Sequence, residues 1–468
     1  MGANTIGWIG IVRLGLVQAA LGAIVVLTTS TLNRVMVVEL ALPAILPGAL
    51  VALHFAMQLL RPRMGYGSDV GQRRTPWIIG GMATLAVGGA GAAVATAFMA
   101  DHFAAGLSLA IVSFVLIGGG VSAAGTSLLV LLAKRVDEHR RAAAATVVWI
   151  MMIAGFAITA TLAGKWLDPY SPERLVTVTA GVSLAAFLLT LVAIWRVEGT
   201  GGTGSNQPET AGVAERAKPG FRQALAEVWS EPDSRHFTIF VFVSMLAYSA
   251  QDLILEPFAG AIFAFTPGES TKLSGVQHGG VLAGMLLVAF ATSVLARGQR
   301  ASRTRRYASL KAWTIGGCVA SALALAGLVC AGMFGLPWPL KENVFLMGLA
   351  NGVFSIAAIG SMMAMAGQGH ASREGVRMGL WGAAQAIAFG VGGFLGTVLS
   401  DLAKLVVSAP GGAYSVVFAL ETIGFLLAAA LAVRIRIDAG SADQNRFSIP
   451  DQDTPVFLPS MQAAKGND

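Results

Sequence analysis

Twelve apolar runs, most of them about 20 residues long, dominate the chain and constrain what it can fold into. At about 1.5 Å of rise per residue, a helical run of that length crosses the ~30 Å hydrocarbon core of a bilayer. The runs lie at 11–33, 41–60, 77–100, 106–132, 143–164, 174–195, 237–262, 276–296, 311–334, 343–366, 376–399 and 413–434. They predict an all-α membrane protein with twelve transmembrane helices. Hydrophobic residues make up 55% of the 468, charged residues 12%, and the mean hydropathy is +0.69, which excludes a soluble multidomain chain.

The runs divide six and six, as two pseudo-symmetric halves at 1–195 and 237–436. Between them, 196–236 is rich in Gly, Thr, Ser, Pro and charge, and reads as a flexible cytoplasmic linker entering an amphipathic segment around Phe221–Trp229. Beyond Arg436 the chain turns polar and proline-dotted, so 437–468 is expected to be a disordered cytoplasmic tail. Of the 32 Lys and Arg, 26 fall in segments on the side of both termini and 6 in the alternate loops. Basic residues are retained on the cytoplasmic side, so both termini are expected there. The net charge of +7 belongs to this bias and is no nucleic-acid footprint. The first run is too long for a cleavable signal and no A-x-A site ends it, so it is expected to stay as a helix. Cys318 and Cys330 share one run without metal-ligand spacing and read as buried thiols.

Polar side chains inside such runs are costly and need partners. Two segments share a pattern of amide, charge, apolar spacer and glutamate: Asn33, Arg34 and Glu39 at the end of the first run, and Gln251, Asp252 and Glu256 before Pro257 in the seventh. Arg34 and Asp252 carry opposite charge at equivalent places, which suggests a bridge between the halves that locks or gates a central cleft. Structural pairing and a proton relay both fit these groups. His54 and Gln58, four apart, share a helix face, where the imidazole can ligate a metal or hydrogen-bond a neighbouring helix. His278 is expected to open the eighth helix near the outer surface, while Asn351, Gln385 and Glu421 are isolated polar groups able to line a cavity. Gly280/Gly284, Gly348/Gly352, Gly392/Gly396 and the cluster Gly118–Gly120 have the spacing of close helix contacts, within the chain or with a partner.

Six plus six helices around a long central cytoplasmic loop resemble the major facilitator superfamily. The loop Gly65-Tyr66-Gly67-Ser68-Asp69-Val70-Gly71-Gln72-Arg73-Arg74 is similar to that superfamily's loop motif, in which Gly65 permits tight helix approach and Asp69, Arg73 and Arg74 pair with helix ends. Val70 replaces the usual basic residue, and the equivalent loop Arg297–Arg306 is basic without the motif. More specifically, Leu32–Pro43, Gln58–Pro62, Arg73–Ile78, Leu167–Pro172 and Gln251–Phe258 resemble the PucC/LhaA group, the bacteriochlorophyll delivery family.

That resemblance implies a major-facilitator fold in the inner (intracytoplasmic) membrane of a photosynthetic bacterium. It also implies an assembly factor that binds bacteriochlorophyll a or delivers it to antenna polypeptides, with bacteriochlorophyll synthase or the insertion machinery as further partners. His54, Gln58, His278 and Gln385 are then the candidate pigment contacts, and His54 is a candidate magnesium ligand. Two other readings stand beside it: an ion-coupled secondary transporter of a small solute, and a structural accessory of a photosynthetic complex. The sequence carries no nucleophile–base constellation, metal cluster or phosphate loop, so no enzyme is expected.

Overall fold

The computed structural model describes residues 6–60, 73–198, 226, 228–297, 310–366 and 374–435. Gly65 and Asp69 of the loop motif, most of the linker (199–225), the basic loop 298–309 and the tail 437–468 lie outside the described residues. Regular structure among the described residues is helical throughout. In chain order the helices are α1 (Trp8–Glu39), α2 (Ile45–Met57), α3 (Thr75–Phe98), α4 (Phe103–Arg135), α5 (Glu138–Trp166) and α6 (Pro172–Ile194). The second series is α7 (Pro232–Phe263), α8 (Pro267–Arg297), α9 (Leu310–Phe334), α10 (Leu340–Ala366), α11 (Glu374–Val406) and α12 (Pro410–Arg434). Eleven are long and apolar enough to cross a membrane; α2, with 13 residues, is the shorter apolar exception.

Several boundaries differ from the sequence expectation for one reason. Helix α8 starts at Pro267, not near residue 276, and its first three turns carry Ser270, Thr271, Ser274 and Gln277, all buried. These polar groups face other helices, so a hydropathy reading trims a segment that is in fact helical. Likewise α1 continues to Glu39 through two wide turns of π type, Leu27–Thr31 and Val35–Glu39. The hydroxyls of Thr28 and Thr29 donate back to the Val25 carbonyl at 2.9 Å each, and such local bonds loosen the helical ladder.

Two large apolar clusters form most of the core, one drawn mainly from α1–α6 and the other from α7–α12, and a small third one joins Ile153 of α5 to Val281 and Met285 of α8. The helix contacts repeat between the two series. α1 packs on α5 and α6 as α7 packs on α11 and α12, and α3 packs on α4 and α6 as α9 packs on α10 and α12. α5 meets α8 as α11 meets α2, the relation a pseudo-twofold axis between the series produces.

The glycine spacings serve contacts inside the chain. A Cβ on Gly280 or Gly284 of α8 would strike the α10 backbone at Phe345 and Leu349, and one on Gly348 or Gly352 of α10 would strike that of α8 at Gln277 and Val281. Gly392 and Gly396 lie against Leu246, Ser249 and Ala250 of α7, and Gly118 lies against His54 of α2. Without side chains between them these backbones pack directly, which replaces the hydrophobic drive that lipid removes.

Candidate functional site between the helix series

The two charged segments identified in the sequence meet where the ends of α1 and α7 approach α8. Pro257 sits inside α7 and has no N–H, so the Leu253 carbonyl four residues earlier loses its helical donor. Asn33 of α1 fills the gap, its Nδ2 donating to the Leu253 oxygen at 2.5 Å. One turn away, the Ser30 hydroxyl donates to the Glu256 carboxylate and lies 3.2 Å from the Ser274 hydroxyl, while Thr31 and Thr271 hydroxyls meet at 2.9 Å. Short side chains here satisfy one another across three helices.

Arg34 does not bridge to Asp252. It is 2% exposed, and its Nη1 pairs with Glu39 while its Nη2 donates to the Phe265 carbonyl at 2.7 Å. The five-residue spacing of Arg34 and Glu39 spans the wide π-type turn, which brings residues five apart onto one face. Asp252 instead accepts from Gln277 Nε2 at 3.3 Å. The link between the series is therefore made by the Arg34–Phe265, Asn33–Leu253, Ser30–Glu256, Ser30–Ser274 and Thr31–Thr271 contacts. The same end is tied further by Asp168, which accepts from Thr266 Oγ1 (2.8 Å), Gly268 N (3.2 Å) and Lys272 Nζ (3.3 Å), and by Ile45 N donating to Asp401 (2.8 Å).

Below this seal lies a cavity of about 120 Å³ between α1, α2, α5, α7, α8 and α11. Ser30, Asp252, Ser274, Gln277 and His278 give it polar walls; Phe55, Phe156 and Phe389 give it aromatic ones. His278 lies well inside α8, eleven residues past its first, rather than at the outer surface. Its Nδ1 is 2.8 Å from the Ser274 carbonyl, so Nδ1 carries the proton and Nε2 keeps the lone pair in the neutral ring. His54 is buried on α2, whose backbone there lies against Gly118 of α4, and its Nε2 is 3.0 Å from Gln58 Nε2, so that ring nitrogen is engaged by an amide. Gln385 is on α11, 3.9 Å from the Met245 sulfur and one turn from Phe389, and does not line the cavity. Asn351 accepts from Ser321 at 2.7 Å and ties α10 to α9. Fully buried Gln251 and both carboxylate oxygens of Glu421 have no hydrogen-bond partner among the described residues.

The residues Arg73 and Arg74 lead to a second polar cluster at the opposite end. The backbone N–H groups of Arg74 and Thr75 donate to Glu198 at 2.8 and 3.0 Å and the Thr75 hydroxyl at 2.7 Å, so Glu198 caps α3 from beyond the end of α6. Partial burial pushes the Glu198 carboxyl up, but those donors outweigh it and hold it below the usual glutamate range. Arg13 caps the other partner, donating to the Ala193 (2.9 Å) and Trp195 carbonyls at the end of α6. In the second series Glu231 grips Arg377 bidentately, at 2.9 and 2.7 Å. Neither Glu198 nor Glu231 stood out in the sequence, because each acts on a helix end remote in the chain.

The repeated helix contacts define the class of protein: a multi-pass membrane protein with the major-facilitator fold. The solved structure of the nucleoside transporter NupG superposes over 91% of this chain and all of its own, with a TM-score of 0.64 at 15% identity, a likeness of fold alone. Residues 31–439 match the family described as PUCC protein, and the chain belongs to that family. A relative from Rhodobacter capsulatus called "Bacteriochlorophyll synthase 44.5 kDa chain" is 50% identical, covering 94% of this chain and 98% of its own. The Protein PucC of Cereibacter sphaeroides is 32% identical over 89% of each chain.

Proposed function

We propose that this protein is a non-enzymatic assembly factor that holds bacteriochlorophyll in the membrane and hands it to antenna polypeptides. The observation that carries the reading is the 50% identity, over almost the whole of both chains, to a relative named for bacteriochlorophyll synthesis. Membership of the PUCC family supports it. In this reading both termini face the cytoplasm, the Arg34 end faces outward, and bacteriochlorophyll synthase or the insertion machinery supplies the pigment.

A pigment macrocycle does not fit the central cavity, whose ~120 Å³ falls short of the ~300–1,000 Å³ of ordinary ligand pockets. With the Arg34 end sealed, we assign pigment contact to the lipid-facing side of the helices, which a flat apolar cargo reaches laterally. Deleting the gene in the host bacterium tests the reading. The expected result is loss of the antenna absorption bands while bacteriochlorophyll remains extractable. Antenna at wild-type level overturns the reading, and loss of all bacteriochlorophyll replaces it with a step in pigment synthesis.

An ion-coupled transporter is the second reading, favoured by the Asp252 carboxylate in the cavity wall. Ion-driven solute uptake into vesicles containing the protein separates the two.

A further inference from the structure

We propose that the central cavity binds one Na⁺ ion, with Asp252 as its charge partner. The first ground is charge. Glu256 on α7 and Glu421 on α12 are buried, Asp252 on α7 is partly buried in the cavity wall, and the nearby cation, Arg34, is already paired with Glu39. Asp252 receives only the long contact from Gln277, and Glu256 Oε2 has no partner among the described residues. A carboxylate in a membrane interior without a counter-charge is expensive and is relieved by a proton or by a small cation; the oxygen atoms gathered around Asp252 favour the cation.

The second ground is the donor set. Asp252, Ser30, Ser274, Thr29 and Gln277 all line the cavity. The Thr29 hydroxyl spends its hydrogen on Val25, and Gln277 turns its Nε2 to Asp252, so both keep oxygen lone pairs for a ligand. Hard cations prefer such oxygen ligands. No group of three His, Cys, Asp or Glu suited to a metal gathers among the described residues, and one carboxylate with neutral oxygens suits a single positive charge. About 120 Å³ holds an ion with a few waters, at ~30 Å³ per water.

The titratable or charged groups around Asp252 and its neighbour Glu256 are Tyr248 on α7, His278 on α8, Glu421 on α12 and Arg34 on α1; α2, α5 and α11 bring only Val51, Phe55, Phe156, Phe389 and Gly393 to the cavity. The proposal does not rest on pigment handling and can fail without it.

The test uses the purified full-length chain in detergent. Radioactive sodium binding should saturate at one ion per chain. The unfolding temperature should rise with NaCl and stay flat with choline chloride at equal ionic strength. Asp252→Asn should lose both responses and, without sodium, unfold above the wild type, since no uncompensated charge remains. Gln277→Leu should raise the half-saturating sodium concentration roughly tenfold. That variant keeps the test decisive if Asp252→Asn does not fold. Wild-type protein that binds no sodium overturns the proposal, and so does an unfolding temperature that responds to pH but not to sodium.

Discussion

At the residue scale the Asn33–Leu253 hydrogen bond is the contact on which α1 and α7 turn. Polar bonds between membrane helices contribute about 0.6 kcal/mol on average, because an unbonded group finds another partner. The Leu253 carbonyl has no such alternative, since Pro257 removes its helical donor. Asn33→Leu should therefore cost about 1–3 kcal/mol, the penalty for a stranded polar group, measured by reversible unfolding in detergent. Pro257→Ala restores the missing N–H, so the double variant should recover most of that loss. Additive losses would show that Asn33 stabilises by another route. Glu198 sets a pH dependence at the opposite end. Its carboxyl lies below the ordinary glutamate range in the folded protein, so its contribution is complete above the unfolded value and disappears as pH falls through the lower folded one. Unfolding temperature against pH should decline through the acid range in wild type and decline less in Glu198→Gln. Glu198→Ala should cost about 1 kcal/mol at neutral pH, as lost helix caps do.

At the scale of elements, the glycine faces of α8 and α10 decide how closely the second series can pack. Gly352→Val would drive a branched side chain into the Val281 carbonyl, where backbone has no room to yield. We expect at least 1–3 kcal/mol of overpacking cost and a strongly reduced yield of monodisperse protein, whereas Gly316→Val, at an open position, should purify normally. Equal yields would show that the α8–α10 contact is looser than described. The helices themselves were legible because lipid imposes one length and one polarity on every span. The start of α8 was not, because Ser270, Thr271, Ser274 and Gln277 are polar residues turned inward, which hydropathy scores as if they faced water. The bridge expected between Arg34 and Asp252 failed for a related reason: two opposite charges at equivalent positions say nothing of the π-type turn that hands Arg34 to Glu39. The proline that frees the Leu253 carbonyl was visible in the chain; its partner on α1 required the fold.

At the scale of the molecule, the described hydrogen bonds between the two series gather at the Arg34 end, through Asn33, Ser30, Arg34, Ile45 and Asp168. In the proposed function, a closed end above a small polar cavity assigns the apolar pigment to the lipid-facing flanks. The family was legible in segments such as Leu32–Pro43, Arg73–Ile78 and Gln251–Phe258, and the match over residues 31–439 shows it. The surroundings of the candidate pigment contacts were not: His54 meets Gln58, and His278 lines the central cavity. The central claim, that the protein holds bacteriochlorophyll, is tested most directly by the near-infrared absorption spectrum of the chain purified in mild detergent from a host that makes the pigment. A band stoichiometric with protein, absent from an unrelated membrane protein prepared alike and unchanged in His54→Ala, is the predicted result. A folded but colourless protein would contradict the claim.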